Sequence, residues 1–376
     1  MRTLLLALAS ALSITVTAAP LAVPPPPDLA AKAYLLLDFQ SGAHLAARDP
    51  DKRIDPASLT KLMTEYLTLK AVKEGRLRLD QQLTVSQKGW KTEGSRMFLD
   101  PKKPARVDEL LRGMIVQSGN DACVTLAEAI AGSEENFAGM MNQQAAALGM
   151  TGTHFMNSTG LPNPQHYTTA RDLSVLAMAI MRDYPEFFAI ASMKEYRYNN
   201  ITQPNRNLLL FRDPEVDGLK TGHTDSAGYC LIATKHHDGR RVLSVVLGTA
   251  SENARADESA KLLGYGLNFF DTTRLYAAKQ AVAQTVVYKG EANQVAAGFD
   301  RDQFITVPKG AIPRIQAQTI LQPKLIAPLA AGQVIGSVKL TLDGQPLAEL
   351  PLKTLAAVPQ AGFFGRMVDS VKLWWK

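Results

Sequence analysis

The sequence predicts an α+β protein in which helices pack against an antiparallel sheet, followed by a small all-β domain and a terminal amphipathic helix. Three patterns predict it. Strand-like runs open and close the region up to Tyr276 with most of the helical periodicity between them, β-rich runs broken by Gly and Pro follow, and the segment from Gln360 repeats apolar residues at helical spacing. At 376 residues and 46% hydrophobic content, the chain has the material for two cores.

Arg2, the apolar run Leu4 to Val16, and Thr17, Ala18 and Ala19 form the three parts of a secretory signal peptide over 1–19, with cleavage near Ala18 or Ala19. The Pro-rich run Val23 to Pro27 makes 20–29 an extended linker. A first domain is expected over 30–276. Ala33 to Phe39 has the character of a buried strand, Gln40-Ser41-Gly42 of a turn, and Ala43 to Ala47 of its hairpin partner. From Pro56 to Lys73, Leu59, Leu62, Met63, Tyr66, Leu67 and Leu69 recur at spacings of three and four, and Gly75 supplies a stop. That predicts a core helix with Ser58 in its first turn.

Further helices fit Val107 to Ile115, Asp121 to Ala131, Asn136 to Leu148, Thr169 to Met181 and Asp257 to Phe270. Strands fit Tyr229 to Lys235 and Arg241 to Leu247, joined by a turn at Asp238-Gly239. A second, β-rich domain is expected over 277–357, with strands at Ala283 to Tyr288, Gln303 to Val307 and Val334 to Leu342. In the tail, 358–376, Phe363, Phe364, Met367, Val368, Val371, Trp374 and Trp375 fall in an arc of roughly 140° at 100° per residue. Arg366, Asp369, Lys372 and Lys376 take the other side. Two indoles, two phenyl rings and flanking cations describe a helix lying in a membrane interface, the alternative being a helix packed on its own domain.

Lys and Arg exceed Asp and Glu by 41 to 35, and the resulting +6 is spread along the chain, which argues against a dedicated nucleic-acid surface. With two cysteines, Cys123 and Cys230, the chain is no disulfide scaffold. Each reads as a small apolar residue in a buried segment, and a bridge between them is left open.

Three short elements carry chemistry: Ser58-Leu59-Thr60-Lys61, Ser118-Gly119-Asn120 and Lys220-Thr221-Gly222. Ser and Lys three apart on a helix share a face. The hydroxyl becomes a nucleophile if the amine, its pKa lowered by burial and a nearby cation, accepts the proton; Lys220 is a candidate for that cation. The second element lies in a break between predicted helices, where Ser118 can relay a proton to a leaving amine and Asn120 can bind an amide oxygen, or either can simply cap a helix. The third leads into the strand from Tyr229. There Gly222 leaves room for a substrate, Lys220 and Thr221 can hold a negative terminus, and His223 and Thr224 extend the polar row.

The set is far more specific than its parts. With DPASLTKLMTEYL, MIVQSGNDACVTLAEAIAGS, GMTGTHFMNSTGLPNPQHYTTARDL and VDGLKTGHTDSAGYCLIAT, the chain resembles the low-molecular-mass penicillin-binding D-alanyl-D-alanine carboxypeptidases along nearly its whole length. The resemblance implies a penicillin-recognising transpeptidase/β-lactamase-like domain. It implies periplasmic residence, and attachment to the outer face of the bacterial inner membrane through the C-terminal helix. It further implies that Ser58 is acylated by peptidoglycan pentapeptide stems and by β-lactams, with Lys61 as proton acceptor and Ser118 and Asn120 as the second motif. The same resemblance implies that Lys220, Thr221 and Gly222 line the opposite wall and that the Ser58 N–H and a strand N–H near His223 form the oxyanion hole. Arg255 matches an arginine for the substrate carboxylate, a surface ion pair being the alternative.

No metal or organic cofactor is required, and the histidines between His154 and Tyr167 lack metal-ligand spacing. Gly119 stands where the pattern has Asp, which disfavours a β-lactamase, as does the lack of a Glu-centred deacylation loop. A D,D-endopeptidase cutting cross-links and a β-lactam-binding envelope scaffold without turnover remain as alternatives.

Overall fold

A computed structural model describes residues 23–374. The signal-peptide prediction lies outside the described residues, as do Trp375 and Lys376. Five antiparallel strands form the sheet of the first domain: β1 (Ala33–Asp38), β2 (His44–Arg48), β3 (Val216–Thr224), β4 (Gly228–His237) and β5 (Arg240–Thr249), in the order β2-β1-β5-β4-β3. Between β2 and β3 the chain inserts α1 (Lys61–Lys73), α2 (Val107–Val116), α3 (Asn120–Ala131), α4 (Glu134–Leu148) and α5 (Ala170–Asp183), and α6 (Glu252–Phe269) follows β5.

The uninterrupted apolar run of β1 follows from cover on both faces. Ala33, Leu35 and Leu37 join the larger core with α1 to α5, while Tyr34 and Leu36 join a second core with Leu262 and Leu263 of α6. Period two divides β5 likewise, Leu243, Val245 and Leu247 facing one core and Val242 and Val246 the other. Helix α1 runs through the larger core and is buried nearly all round, which fits its lack of a polar face.

Several elements start elsewhere than expected. Ser58 lies not in an α-helical turn but in a 3-10 turn, Ala57–Thr60, that precedes α1. Lys220-Thr221-Gly222 does not lead into the Tyr229 strand; it sits inside β3 and pairs with Ile232, Leu231 and Cys230 of β4. Helix α6 begins at Glu252, where the Ser251 side chain accepts from the Ala254 N–H, rather than at Asp257. The Pro-rich approach is docked: Tyr265 Oη donates to the Pro24 carbonyl at 2.8 Å, and Leu29 is buried in the second core. Cys123 and Cys230 are free, buried thiols.

After Tyr276 the chain is nearly all β, with a six-stranded sheet around Val287, Phe299, Ile335 and Leu352. A two-stranded sheet, Phe270–Tyr276 with Gln303–Pro308, stands at the junction. Asp38, fully buried at the end of β1, ties the halves together. It accepts from the Ser41 N–H and hydroxyl through Oδ1, and from Arg240 Nε at 2.8 Å and Thr272 Oγ1 at 2.6 Å through Oδ2. Ser41 and Thr272 each meet Thr306. The last helix among the described residues is α7 (Phe363–Trp374), which starts three residues after the Gln360 expected for the tail.

A buried carboxylate that answers one guanidinium and two hydroxyls is costly to remove, because its partners stay behind desolvated. Asp38→Asn is expected to lower unfolding free energy by about 3 kcal/mol. Chemical denaturation of the purified chain, followed by tryptophan fluorescence and circular dichroism, checks it.

Candidate active site

The three motifs converge on one cleft. The turn that carries Ser58 depends on close backbone packing: Ala57 takes φ +47° and donates its N–H to Asp55 Oδ1 at 2.9 Å, while Gly160, at φ +85°, lies so near that a Cβ there would stand 1.8 Å from the Ala57 carbonyl oxygen. Glycine is required at 160 on both counts. The same loop supplies the Thr159 carbonyl, which accepts from Lys61 Nζ at 2.5 Å; Lys61 Nζ also donates to Ser58 Oγ at 2.8 Å.

Lys61 is fully buried at the base of α1. Burial lowers its pKa to about 8, and the Arg206 cation acts in the same direction. The cation that the sequence suggested, Lys220, is buried beside it, and its own pKa falls well below the ordinary lysine value through burial and then through Lys61. Lys220 Nζ donates to Ser118 Oγ at 3.0 Å and to the Thr221 carbonyl at 2.9 Å. Two serine hydroxyls thus each accept from a buried amine, on facing walls of one cleft.

Ser118 sits in the turn between α2 and α3 with φ +62°, and Gly119 is the N-cap of α3 without a side-chain capping bond. Capping therefore does not account for Ser118 or Asn120. Asn120 Nδ2 donates to the Glu93 carbonyl at 2.6 Å, and its N–H donates to the Ser95 carbonyl at 2.7 Å. Glycine at 119 is a matter of space, since a Cβ would lie 2.9 Å from Asp121 Oδ1 and 3.1 Å from the Met97 nitrogen. Asp121, buried, accepts from the Met97 and Leu99 N–H groups and so clamps the 95–99 segment against α3.

On the opposite wall, a cavity of about 230 Å³ is lined by Ser58, Ser118, Thr221, Gly222, His223 and Arg255. A Cβ on Gly222 would approach Leu59 and Ala57 to 3.2–3.3 Å, so glycine lets β3 lie against the Ser58 turn. The His223 and Tyr229 rings stack with centroids 4.0 Å apart, and Thr224 turns aside to donate to Asp55. Arg255 is buried on the wall of the cleft, and it also pairs there with Glu252, whose side chain is half-exposed. A cleft of about 850 Å³ between α1 and α2 is wider, but Val72, Leu77, Leu111, Ile190 and its other lining residues include no serine, cysteine or lysine.

Four further residues line the small cavity: Ser95, Arg206, Tyr229 and Glu252. None belongs to the three short elements, although Tyr229 falls in the longer matching stretch around the third. Glu252 was legible in principle, because it precedes Arg255 by three residues on α6, and the Ser251 cap marks the start of that helix.

A family model described as D-alanyl-D-alanine carboxypeptidase matches residues 20–251, and one described as penicillin-binding protein 5, C-terminal domain, matches 270–360. D-alanyl-D-alanine carboxypeptidase DacA of Escherichia coli (strain K12) is 39% identical over 359 residues, 93% of this chain and 89% of that protein. The DacA protein of Haemophilus influenzae is 41% identical, covering 92% of this chain and 89% of its own. Among solved structures, penicillin-binding protein 5 from Haemophilus influenzae superposes with a TM-score of 0.86 at 41% identity, covering 89% of this chain and 99% of that one. Penicillin-binding protein D2 from Listeria monocytogenes, in its ampicillin-bound form, reaches 0.60 at 32% identity over 65% of this chain and 99% of its own.

The Lys61 contact fixes a pH dependence. Only the neutral amine accepts the Ser58 proton, and a pKa near 8 makes that form scarcer by tenfold per unit as pH falls below it. The rate at which an activated ester acylates Ser58 is expected to rise with pH, inflect near 8 and level off above. Lys61→Arg is expected to flatten the profile and lower the rate by about 10²-fold or more. Stopped-flow acylation from pH 6 to 10 provides the check.

Proposed function

The chain belongs to the D-alanyl-D-alanine carboxypeptidase family, and from that membership we propose that Ser58 is the residue acylated in its reaction, with Lys61 as proton acceptor. The enzyme is a serine-type D-Ala-D-Ala carboxypeptidase, a hydrolase of peptidoglycan peptides and a binder of β-lactams. One observation carries the assignment of roles: a buried amine donates to the Ser58 hydroxyl at 2.8 Å, and burial has lowered its hold on a third proton.

In the proposed sequence, neutral Lys61 takes the Oγ proton as Ser58 Oγ bonds to the carbonyl carbon of the penultimate D-Ala. The carbonyl electron pair moves to oxygen, where the Ser58 N–H and a β3 N–H near His223 stabilise it. A proton from the Lys61 and Lys220 pair passes through Ser118 to the nitrogen of the terminal D-Ala, and the C–N bond breaks. Asn120 holds the amide oxygen of the stem, while Thr221 and Arg255 face the departing carboxylate. Water then attacks the ester, Ser58 recovers its proton, and the shortened stem leaves. A β-lactam follows the first half; its leaving nitrogen stays tethered.

Residence in the periplasm and attachment to the outer face of the inner membrane are part of the same proposal. Phe363, Phe364, Met367, Val368, Val371 and Trp374 of α7 are all exposed, with Trp374 at 85%. A row of this kind is expected to be covered. The 12 described residues of α7 span about 18 Å and suit an interfacial position, and among the described residues no helix is long and apolar enough to cross a bilayer. The tail meets its own domain through polar contacts, the Lys289 N–H donating to Asp369 Oδ2 at 2.7 Å and the Ala361 N–H to the Lys289 carbonyl at 2.8 Å.

After brief exposure to a β-lactam, mass spectrometry is expected to find the adduct on the peptide containing Ser58. Wild-type enzyme is expected to release D-Ala from diacetyl-Lys-D-Ala-D-Ala, and Ser58→Ala to lose at least about 10³-fold of that rate; an adduct elsewhere or retained turnover refutes the assignment. Deletion of 360–376 is expected to leave turnover intact and abolish co-sedimentation with vesicles containing anionic lipid, whereas unchanged co-sedimentation refutes the anchor.

A further inference from the structure

The wall facing the departing end of the substrate holds a carboxylate that the reaction above does not use. Arg255 is 2% exposed, and burial lowers its pKa from the ordinary guanidinium value. Its Nη1 donates to the Gly222 carbonyl at 3.4 Å and its Nη2 to the Arg206 carbonyl at 3.2 Å, contacts that occupy donors but bring no full negative charge. Among the described residues its ion-pair partner is Glu252, one turn earlier on α6, with Oε1 3.4 Å from Nη2 and a side chain 55% exposed. Glu252 lines the same cavity as Ser58, Ser118 and Thr221.

A long contact with a half-exposed partner is weak, so Glu252 is loosely held at the solvent side of a buried cation. An incoming carboxylate can displace it while Arg255 stays compensated throughout. Once displaced, Glu252 remains at the mouth of the cavity, where it repels a second negative charge on the departing residue.

We propose that Glu252 is a specificity-determining residue: it yields Arg255 to a leaving residue with one carboxylate and disfavours one with two. Terminal D-Ala meets that condition, whereas a cross-linked stem whose departing residue carries a further free carboxylate does not, and the charge therefore tilts the enzyme toward uncross-linked stems. The inference rests on the proposed placement of the leaving group against Arg255.

The test compares hydrolysis of diacetyl-Lys-D-Ala-D-Ala and diacetyl-Lys-D-Ala-D-Asp by the full chain and by its E252Q, E252D and R255K variants. Fluorescent β-lactam labelling confirms that each variant is folded. E252Q is expected to raise kcat/KM for the D-Asp peptide relative to the D-Ala peptide on the order of tenfold, E252D to keep the wild-type ratio, and the difference to shrink in about 0.5 M salt. R255K is expected to raise KM for the D-Ala peptide by about tenfold. If E252Q leaves the ratio within about twofold of wild type while R255K raises KM, Glu252 has no such role and the leaving-group placement stands. If R255K leaves KM unchanged, the placement fails and the inference with it.

Discussion

Two lysine side chains held out of water in one cleft are the constraint on which the rest of the molecule depends. An isolated ammonium loses several kcal/mol of hydration on burial, and a neighbouring ammonium adds repulsion. The protein compensates with oriented neutral acceptors, the Ser58 and Thr159 oxygens for Lys61 and the Ser118 and Thr221 oxygens for Lys220. These acceptors support a cation without neutralising it, and burial still lowers the proton affinity of both amines. A carboxylate partner in their place would hold the charge and quench the chemistry.

That arrangement explains where the backbone is tightest. Thr159 reaches Lys61 only because the 157–161 loop lies directly against the Ser58 turn, where Gly160 admits the Ala57 carbonyl and Ala57 itself adopts φ +47°. Asn157 braces the loop from within, its Oδ1 accepting from the Gly160 N–H at 2.7 Å and the Thr159 N–H at 3.2 Å. The second wall repeats the logic, with Ser118 at φ +62° and Asp121 clamping the neighbouring strand of chain. Unfavourable local conformations of this kind persist only where surrounding contacts over-determine them.

Much of this was legible in the sequence, and what was missed has a physical pattern. Strong periodicity located β1, α1 and the helices from Val107 to Met181, and the residue types of the three motifs picked out Ser58, Lys61, Ser118, Lys220 and Thr221, which the fold brings together around one cleft. Contributions made by backbone left no trace: the Thr159 carbonyl and the 3-10 geometry at Ser58 depend on conformation, which residue identity does not report. Strand β3 was missed because Asp217, Gly218 and Lys220 interrupt its apolar pattern, and their side-chain needs are met by tertiary partners instead. Arg206 reaches the site from an irregular stretch between a hairpin and a single helical turn, where periodicity carries no signal.

The junction with the second domain constrains how this cleft is held. A cleft of about 230 Å³ accepts a small terminus, yet the polymer that presents that terminus is large and anchored elsewhere, so the orientation of the cleft matters as much as its chemistry. Orientation can be transmitted only through joints that do not swivel. The Asp38–Arg240–Thr272 cluster is such a joint, because rotating one half against the other would strand a buried carboxylate and a nearly buried guanidinium together. At the far end, Asp369 Oδ2 accepts from the Lys289 N–H and the Ala361 N–H donates to the Lys289 carbonyl, and α7 is held there while its apolar row stays exposed. A polar attachment serves this purpose better than an apolar one, since burying the row against the domain would remove the surface that the tail presents.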